Sequence, residues 1–307
     1  MAQEEVPQTS SLGPDGSTPV ISVIIAAYNA AETLGEQLAA LARQRPPFAW
    51  ELLVCDNGSE DGTAELVRGW MAHIPQLILV DASTRRGPGA ARNTGALAAR
   101  APLLAFCDAD DIVADDWLLH MQLGLRHSEL VAGRTIPLSS PGAVSVSWAV
   151  EHLIVMPYWP QYPSAASSNL GVQSSVFREL SGFDESLRNG EDTDFCWRAQ
   201  IAGFTLARRA NAVVHIRKRT GLIPVFRQAF SYAAGEMQLK RKHAEAMAAY
   251  VPPETASTRE EASTHVEERK SFTRHAMRIF RPDGRADAAW RFGGWLGRRW
   301  AGAFGSR

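Results

Sequence analysis

The feature that most constrains the fold of this chain is an alternation of short apolar runs with amphipathic segments over residues 20–107. The apolar runs are typical of strands buried on both faces of a parallel sheet, and they occupy residues 20–28, 51–55, 77–80 and 103–107. Helical periodicity fills the intervals, at residues 31–43, 63–71 and 90–100. Because strands that alternate with such helices form right-handed βαβ units, the sequence predicts an α/β fold with an open, doubly wound, mostly parallel sheet.

A polar cluster follows each of these predicted strands. The clusters are Tyr28 with Asn29, Asp56 with Asn57, residues 85–89, and Asp108 with Asp110. In doubly wound sheets, ligands bind outside the carboxyl ends of the strands. We therefore expect all four clusters to lie on one rim of the sheet and to form one site.

Asp108 and Asp110 stand one residue apart at the end of the fourth predicted strand. An extended backbone there would direct both carboxylates to the same side, and two hard oxygen ligands placed like this suit Mg²⁺ or Mn²⁺. The alternative is a structural role, because aspartate is a favoured helix N-cap and Asp115 and Asp116 follow closely. The position at the strand end favours the metal site.

Arg92 lies in the first turns of the third predicted helix, behind Gly87 and Gly89. Exposed N–H groups at a helix N-terminus attract phosphate. The spacing matches neither a P-loop nor the dinucleotide-binding fingerprint. From the sequence, Arg92 is therefore either a residue of the site or an ordinary surface charge of the helix.

A second acidic cluster opens a helix predicted from residue 191. Asn189 is a candidate N-cap, and Glu191 and Asp192 complement the positive end of the helix dipole, which is the structural interpretation. The functional interpretation is a general base, because a carboxylate at the edge of a site can accept a hydroxyl proton. His215 ends a later predicted strand and would act as a metal ligand only with the two aspartates nearby.

The 307 residues divide into three parts. Residues 1–18 are rich in Gly, Pro, Ser and Thr without periodicity and predict a disordered leader. Residues 19–220 carry the predicted sheet. Residues 221–307 predict a helical extension that is basic and aromatic towards its end.

Composition argues against several classes of protein. The net charge of −1 provides no overall field that would attract nucleic acid. Cys55, Cys107 and Cys196 are too widely spaced to indicate a disulfide framework or a zinc site, so we expect three buried thiols in a reducing compartment. No apolar run reaches the roughly 20 residues of a membrane span. We expect a cytoplasmic protein without a nucleic-acid partner, with any membrane contact peripheral and on the inner face.

Five segments taken together resemble the family 2 glycosyltransferases with the GT-A fold. They read VISVIIAAYNAAETL, ELLVCDNGSEDGT, RGPGAARNTGAL, LLAFCDADD and GFDESLRNGEDTDFCWRAQIAGF, and they follow the family's order. The resemblance implies a metal-dependent, inverting transfer of a sugar from a nucleotide-diphosphate sugar, with UDP favoured, to an acceptor hydroxyl. It also implies that the catalytic domain over residues 19–220 has a nucleotide-binding half at 19–111 and an acceptor half at 112–220.

The resemblance also assigns the site residues. Asp108 and Asp110 correspond to the family's Asp-x-Asp motif, and His215 corresponds to a further ligand of the Mn²⁺ or Mg²⁺ ion. Asp192 corresponds to the catalytic base, with Glu191 beside it. The residues implied to contact the nucleotide sugar are Ala27, Tyr28, Asn29, Glu32, Asp56, Arg92 and Asp108.

Two departures from the family pattern bear on function. Ala26 and Ala27 precede Tyr28 where several relatives carry a hydroxyl residue, so one contact to the nucleobase is expected to be missing. The Gln-x-x-Arg-Trp motif of the processive polysaccharide synthases is absent from the sequence. We therefore expect an enzyme that adds one sugar or a few, without processive polymerisation.

Acceptor choice is expected to depend on residues 139–168 and on the C-terminal extension. Aromatic side chains in the first segment suit stacking on a sugar, contact with a lipid, or filling of the core. The extension alternates arginine with tryptophan and phenylalanine, which suits either an interfacial helix on an anionic membrane or a helix docked on the catalytic domain. Sugar, lipid-linked and small-molecule acceptors are all compatible with this pattern.

Two other functions compete with sugar transfer. Sugar nucleotidyl transfer would require a glycine-rich loop with a basic residue after the first strand, and residues 26–31 have neither. A non-catalytic nucleotide-sugar-binding or scaffold protein on the same fold is disfavoured because Asp108, Asp110, Asp192 and His215 are present together.

Overall fold

A computed structural model describes residues 18–138, 153–187, 189–217, 221–249 and 282–304. The parts of the chain outside these ranges include residues 1–17 of the predicted leader, Trp148 of the segment 139–168, and the polar stretch at 250–281. The first half of the chain forms the expected alternation. Its elements are β1 (Ile21–Ala27), α1 (Leu34–Ala42), β2 (Trp50–Asp56), α2 (Thr63–Trp70), β3 (Leu77–Asp81), α3 (Pro88–Ala98) and β4 (Leu103–Asp108).

The second half is less regular. It contains β5 (Ile112–Val113), α4 (Trp117–Leu125), β6 (Leu130–Pro137), β7 (Asn169–Gln173), α5 (Ser174–Glu179), α6 (Glu191–Ile201) and β8 (Leu206–Ile216). The C-terminal extension is helical where it is described, with α7 (Leu222–Lys242), α8 (Ala244–Ala248) and a last helix, α9 (Pro282–Phe304).

All eight described strands join one sheet in the order β3-β2-β1-β4-β7-β6-β8-β5. The neighbours from β3 to β4 are parallel, β7 runs antiparallel to both β4 and β6, and β5 runs antiparallel to β8. The prediction of an open, mostly parallel sheet is therefore confirmed, with β7 and β5 as the reversed strands.

Apolar residues on both faces of the sheet explain why the strand sequences are almost continuously apolar. In β1, Ile21, Val23 and Ile25 pack into one core cluster, whereas Ile24 packs into the cluster on the opposite face. All four are fully buried. The three cysteines are buried and unpaired, as expected.

Helix α6 begins differently from the prediction. Its N-cap is Gly190, whose φ of 84° lies in the left-handed region that glycine tolerates best. Asn189 is displaced from the cap, and its side-chain amide bonds instead to the hydroxyl of Ser231 on α7. The structure thus replaces a side-chain cap with a tight turn against α7.

The end of α7 is anchored to α6 through a buried carboxylate. Asp194 on α6 is fully buried and lies 2.8 Å from Nε2 of His243 and 2.7 Å from Nζ of Lys242. The His243 ring packs between Trp159 and Trp197. Trp159, from the irregular segment before β7, therefore fills a small core of its own with α6 and the C-terminal extension.

Helix α9 packs along α7. Gly293 and Gly297 contact the backbone carbonyls of Phe226 and Phe230 so closely that a side chain at either glycine would clash. Ring contacts join the same helices, between Phe226 and Phe292 and between Phe230 and Trp300. The structure thus shows α9 docked on α7, a helix of the extension itself, and membrane contact stays a prediction. None of the described helices has the length and apolar character that crossing a membrane would require.

Candidate active site

The carboxyl ends of β1, β2 and β4 form the rim at which the site lies. Strand pairing places Ala27 level with Asp56 on one side of β1 and Ala26 level with Asp108 on the other. Beyond this rim opens a cavity of about 980 Å³, a volume at the upper end of the range of ligand pockets. Residues predicted from the sequence that line it are Tyr28, Asn29, Glu32, Arg92, Asp108, Asp110, Glu191 and Asp192.

Three carboxylates gather at one end of this cavity. Oxygen atoms of Asp108, Asp110 and Asp111 lie within 4.8 Å of one another. Burial, followed by repulsion from Asp108 and Asp110, raises the pKa of Asp111 well above its ordinary value. Such a concentration of hard oxygen donors and negative charge is suited to Mg²⁺ or Mn²⁺.

Arg92 is a buried residue of the site rather than a surface charge of α3. Its guanidinium lies 2.6 Å from Oδ1 of Asp108 and 2.9 Å from Oε1 of Glu191. The first carboxylate ends β4 and the second begins α6, so one arginine joins the two halves of the site. Because both of these hydrogen-bond partners are carboxylates, Arg92 balances acidic charge at the junction.

Asp192 follows Glu191 in the first turn of α6. Its Oδ2 accepts a hydrogen bond of 2.9 Å from the backbone N–H of Ser167, and its Oδ1 accepts one of 2.7 Å from the N–H of Thr193. These two bonds fix the orientation of the carboxylate at the wall of the cavity. For Glu191, burial and then the neighbouring Asp192 raise the pKa to about 7.

The residues after β1 form the opposite part of the wall. Tyr28 is 55% exposed, and the guanidinium carbon of Arg86 lies 5.2 Å from its ring centre. Asn29 adopts a left-handed φ of 50°, and its backbone N–H and side-chain oxygen bond to the loop after β2. Asp56 lies on the same rim but does not line the cavity, and its Oδ1 accepts a bond from the N–H of Ser59.

His215 is not part of the acidic cluster that the described residues form. It pairs with Ile112 across β5 and β8, and the next two residues, Ile216 and Arg217, line the cavity. The assignment of His215 as a further metal ligand therefore stays a prediction.

Several lining residues were not predicted. Asp111, which directly follows the two predicted aspartates, is buried and belongs to the cluster. Arg217 follows β8, where its backbone N–H donates to Asp111 over 3.0 Å and its Nε donates to the carbonyl of Asp110. The basic run that contains Arg217 was visible in the sequence, but its contact with the loop after β4 depends on the pairing of β5 with β8.

Part of the cavity wall comes from the C-terminal extension. The lining residues there are Gln228, Tyr232, Ala233, Glu236 and Leu239 of α7 and Trp290, Gly294 and Arg298 of α9. Sequence reasoning assigned acceptor choice to this extension but not to particular residues, because helical periodicity does not tell which face meets a distant strand.

Comparison with known sequences gives a consistent family. A profile described as Glycosyl transferase family 2 matches residues 22–160. Glycosyltransferase AglE of Haloferax volcanii is 27% identical over 226 residues, which cover 72% of this chain and 74% of that protein. Succinoglycan biosynthesis protein ExoO of Rhizobium meliloti is 29% identical over 221 residues, covering 65% of this chain and 62% of that protein.

Solved structures share the fold at low sequence identity. Mannosyltransferase PcManGT from Pyrobaculum calidifontis, solved in complex with GDP-Man and Mn²⁺, aligns with a TM-score of 0.64 and 18% identity over 99% of this chain and 92% of its own. TarS 1–349 of S. aureus, solved with UDP-GlcNAc, aligns with a TM-score of 0.54 and 17% identity over 92% of this chain and 91% of its own. Residues 22–160 are thus identified as a family 2 glycosyltransferase domain, and the chain has the GT-A fold that its structural neighbours share.

Proposed function

We propose that this glycosyltransferase moves a sugar from a nucleotide-diphosphate sugar to an acceptor hydroxyl with inversion, in a single displacement that depends on a divalent metal ion. The observation that carries the proposal is that an oriented carboxylate, Asp192, and the acidic cluster of Asp108, Asp110 and Asp111 line the same cavity. Direct displacement of a diphosphate requires a base for the attacking hydroxyl and positive charge at the leaving diphosphate. Asp192 would supply the base, and a cation held by the acidic cluster would supply the charge.

The donor set of the acidic cluster supports the metal. Asp108 and Asp110 would hold Mn²⁺ or Mg²⁺, with Asp111 as the third carboxylate and with His215 as the further ligand that the family resemblance implies. The ion would neutralise the negative charge that develops on the departing diphosphate. Mn²⁺ accompanies GDP-Man in the Pyrobaculum neighbour, but the identity of the metal in this enzyme is left to measurement.

Asp192 acts as the general base in this proposal. It takes the proton from the acceptor hydroxyl while that oxygen bonds to the anomeric carbon and the bond from that carbon to the diphosphate oxygen breaks. Attack from the face opposite the leaving group inverts the anomeric centre. The hydrogen bonds from Ser167 and Thr193 support this role, because they hold the carboxylate in one orientation.

The donor lies along the β1 and β4 ends of the cavity in this proposal. Ala27, Tyr28, Asn29 and Glu32 are assigned to it from β1 and the following loop, and Asp56 from the end of β2. Arg92 is assigned mainly to charge balance, through Asp108 and Glu191. UDP remains the favoured nucleotide by family resemblance, and the absence of the Gln-x-x-Arg-Trp motif supports non-processive transfer.

We also propose peripheral contact with an anionic membrane through the outer face of α9. Phe292, Trp295, Leu296 and Trp300 are each at least 36% exposed, and the guanidinium of Arg299 lies over the Trp295 ring. Exposed aromatic and basic side chains on one helix are typical of interfacial helices. Docking on α7 and membrane contact are compatible, because Phe292 and Trp300 stay about half exposed while they contact α7, and Trp295 and Leu296 are exposed as well.

The deciding experiment measures the melting temperature of the purified protein with UDP, GDP, dTDP or CDP, each with Mn²⁺, Mg²⁺ or EDTA. A nucleotide at about 100 times its Kd stabilises a protein by roughly 2.7 kcal/mol, which is readily detected. We expect one nucleotide to act only with metal, and the Asp110→Ala variant to lose that response. If no nucleotide shifts the melting temperature, the proposal is wrong. If a nucleotide does act, NMR of the first transfer product establishes or excludes inversion at the anomeric carbon.

A further inference from the structure

The acceptor side of the cavity has a wall of its own. Gln228, Tyr232 and Glu236 of α7 and Trp290, Gly294 and Arg298 of α9 line it. In each helix the three residues are spaced four apart, so each set forms a single stripe along one helix face. The C-terminal extension therefore presents two facing stripes to the cavity.

Helix α7, which carries three of these residues, packs directly against the start of α6. An added Cβ at Gly235 of α7 would come within 2.7 Å of the backbone oxygen of Asn189, and one at Gly190 would come within 2.8 Å of the Leu239 side chain. Helix α7 is therefore packed on the turn that immediately precedes Glu191 and Asp192. The wall and Asp192 line the same cavity, so a group bound on the wall shares this cavity with the proposed base.

The charges on the wall are unequal. Glu236 forms an ion pair of 2.8 Å with Lys240, so its negative charge is compensated. Within the part of the chain that the structure describes, Arg298 has no carboxylate within 4.0 Å. The wall thus offers one uncompensated cation to the cavity.

The neighbours of Arg298 leave room for a ligand beside an aromatic surface. The rings of Tyr232 and Trp290 meet edge to face with centres 6.1 Å apart. A Cβ at Gly294 would be in ordinary contact with the guanidinium of Arg298, at 3.5 and 3.9 Å, so this guanidinium lies over the glycine. Arginine pairs well with phosphate through its planar fork of donors, and aromatic rings contact the apolar part of a ligand.

We propose that α7 and α9 form the acceptor subsite and that Arg298 binds a phosphate group of the acceptor beside Trp290 and Tyr232. The inference rests on the proposed function, since it takes Asp192 as the base. The phosphate stays on the acceptor during the reaction, and a hydroxyl of the same molecule is the group that receives the sugar. The phosphate belongs either to a lipid carrier or to a soluble sugar phosphate.

Calorimetric titration of the full-length enzyme, saturated with Mn²⁺ and the nucleotide found above, tests the assignment. The probes are octyl phosphate and glucose 1-phosphate, each compared with its neutral partner, octanol or glucose. Saturation with nucleotide prevents the probes from occupying the donor site. We expect at least one phosphate probe to bind more tightly than its neutral partner, and the preferred probe identifies the lipid or the sugar phosphate as the source.

Variants locate the phosphate on the wall. Arg298→Gln should lower the affinity for the phosphate probe by about tenfold or more, since a hydrogen bond to a charged group contributes about 1.5–3 kcal/mol. Arg298→Lys should restore part of the affinity, and Gly294→Leu should block the subsite. The matched control is Arg227→Gln, which removes an exposed arginine of α7 that does not line the cavity. Nucleotide affinity and the melting temperature in each variant report on folding and on the donor site.

Three results would overturn the assignment. They are a loss in Arg227→Gln equal to that in Arg298→Gln, neutral probes that bind as tightly as phosphates, and no probe binding by an enzyme that still binds nucleotide. An enzyme that binds no nucleotide would instead reject the proposed function, and this inference with it. The nucleotide control therefore separates the two failures.

Discussion

Asp192 is the side chain whose replacement most directly tests the proposed chemistry. Asp192→Asn keeps the size of the side chain but removes its capacity to accept a proton, so we expect turnover to fall by about 10²- to 10⁴-fold. Nucleotide affinity should change little, because the residue lies on the acceptor side of the reaction. Single-turnover transfer and nucleotide titration on the same preparation check this. Equal losses of turnover and nucleotide affinity would contradict the assignment.

Glu191 is expected to make stability depend on pH. Burial, and then Asp192, raise its pKa to about 7 from an ordinary 4.5, so between these values the folded state binds a proton that the unfolded state releases. Its contribution to the free energy of unfolding therefore falls as pH rises through this window, by on the order of 3 kcal/mol. Urea unfolding of the metal-free protein from pH 5 to 8 measures the effect.

The comparison variant for this titration is Glu191→Gln. It cannot ionise, so its stability should lack the decline that the wild-type protein shows towards pH 7. Parallel pH profiles for the two proteins would mean that Glu191 does not hold the extra proton. Arg92 donates a hydrogen bond to Glu191, and this bond offsets part of the free-energy cost of burying the Glu191 carboxyl group.

At the scale of elements, two glycines decide how closely α9 approaches α7. A Cβ at Gly297 would overlap the backbone of Phe230, which cannot move aside without separating the helices. We expect Gly297→Ala to destabilise this pairing by about 1–3 kcal/mol, the usual cost of overpacking. Hydrogen exchange of the α9 amides measures the loss.

Gly294→Ala is the matched control, three residues away on the same helix. Its Cβ meets no backbone atom, and alanine favours the helix over glycine by up to about 1 kcal/mol. Exchange in α9 should therefore slow or stay unchanged in this variant. Equally faster exchange in both variants would contradict the assignment, because the close contact with the Phe230 backbone exists only at Gly297.

At the scale of the whole molecule, a net charge of −1 coexists with a basic C-terminal segment. We expect the protein to sediment with phosphatidylglycerol vesicles and much less with phosphatidylcholine vesicles. Arg299→Gln should weaken the first interaction by about 1 kcal/mol, or about fivefold, and added salt should weaken it further. Equal binding to both kinds of vesicle, or none to either, would reject membrane contact through α9.

The first half of the fold, from β1 to β4, was predictable because its signals are local. Each of these strands is a separate apolar run, and each intervening helix has its own periodicity, so the elements could be located to within a few residues. The second half was not predictable, since β5 has only two residues and β7 reverses direction to pair with β4 and β6. Those pairings join residues far apart in the chain, so the local periodicity of the sequence does not reveal them.

The candidate site divides in the same way. The sequence by itself determined that carboxylates would stand at the end of β4 and at the start of α6, because strand ends and first helical turns follow from local pattern. Only the tertiary structure decided that Arg92 is buried between Asp108 and Glu191, that Asp111 and Arg217 meet beside the acidic cluster, and that α7 and α9 line the cavity. The physical reason is that burial and charge pairing depend on contacts between distant segments, whereas strand and helix periodicity depend on neighbours in the chain.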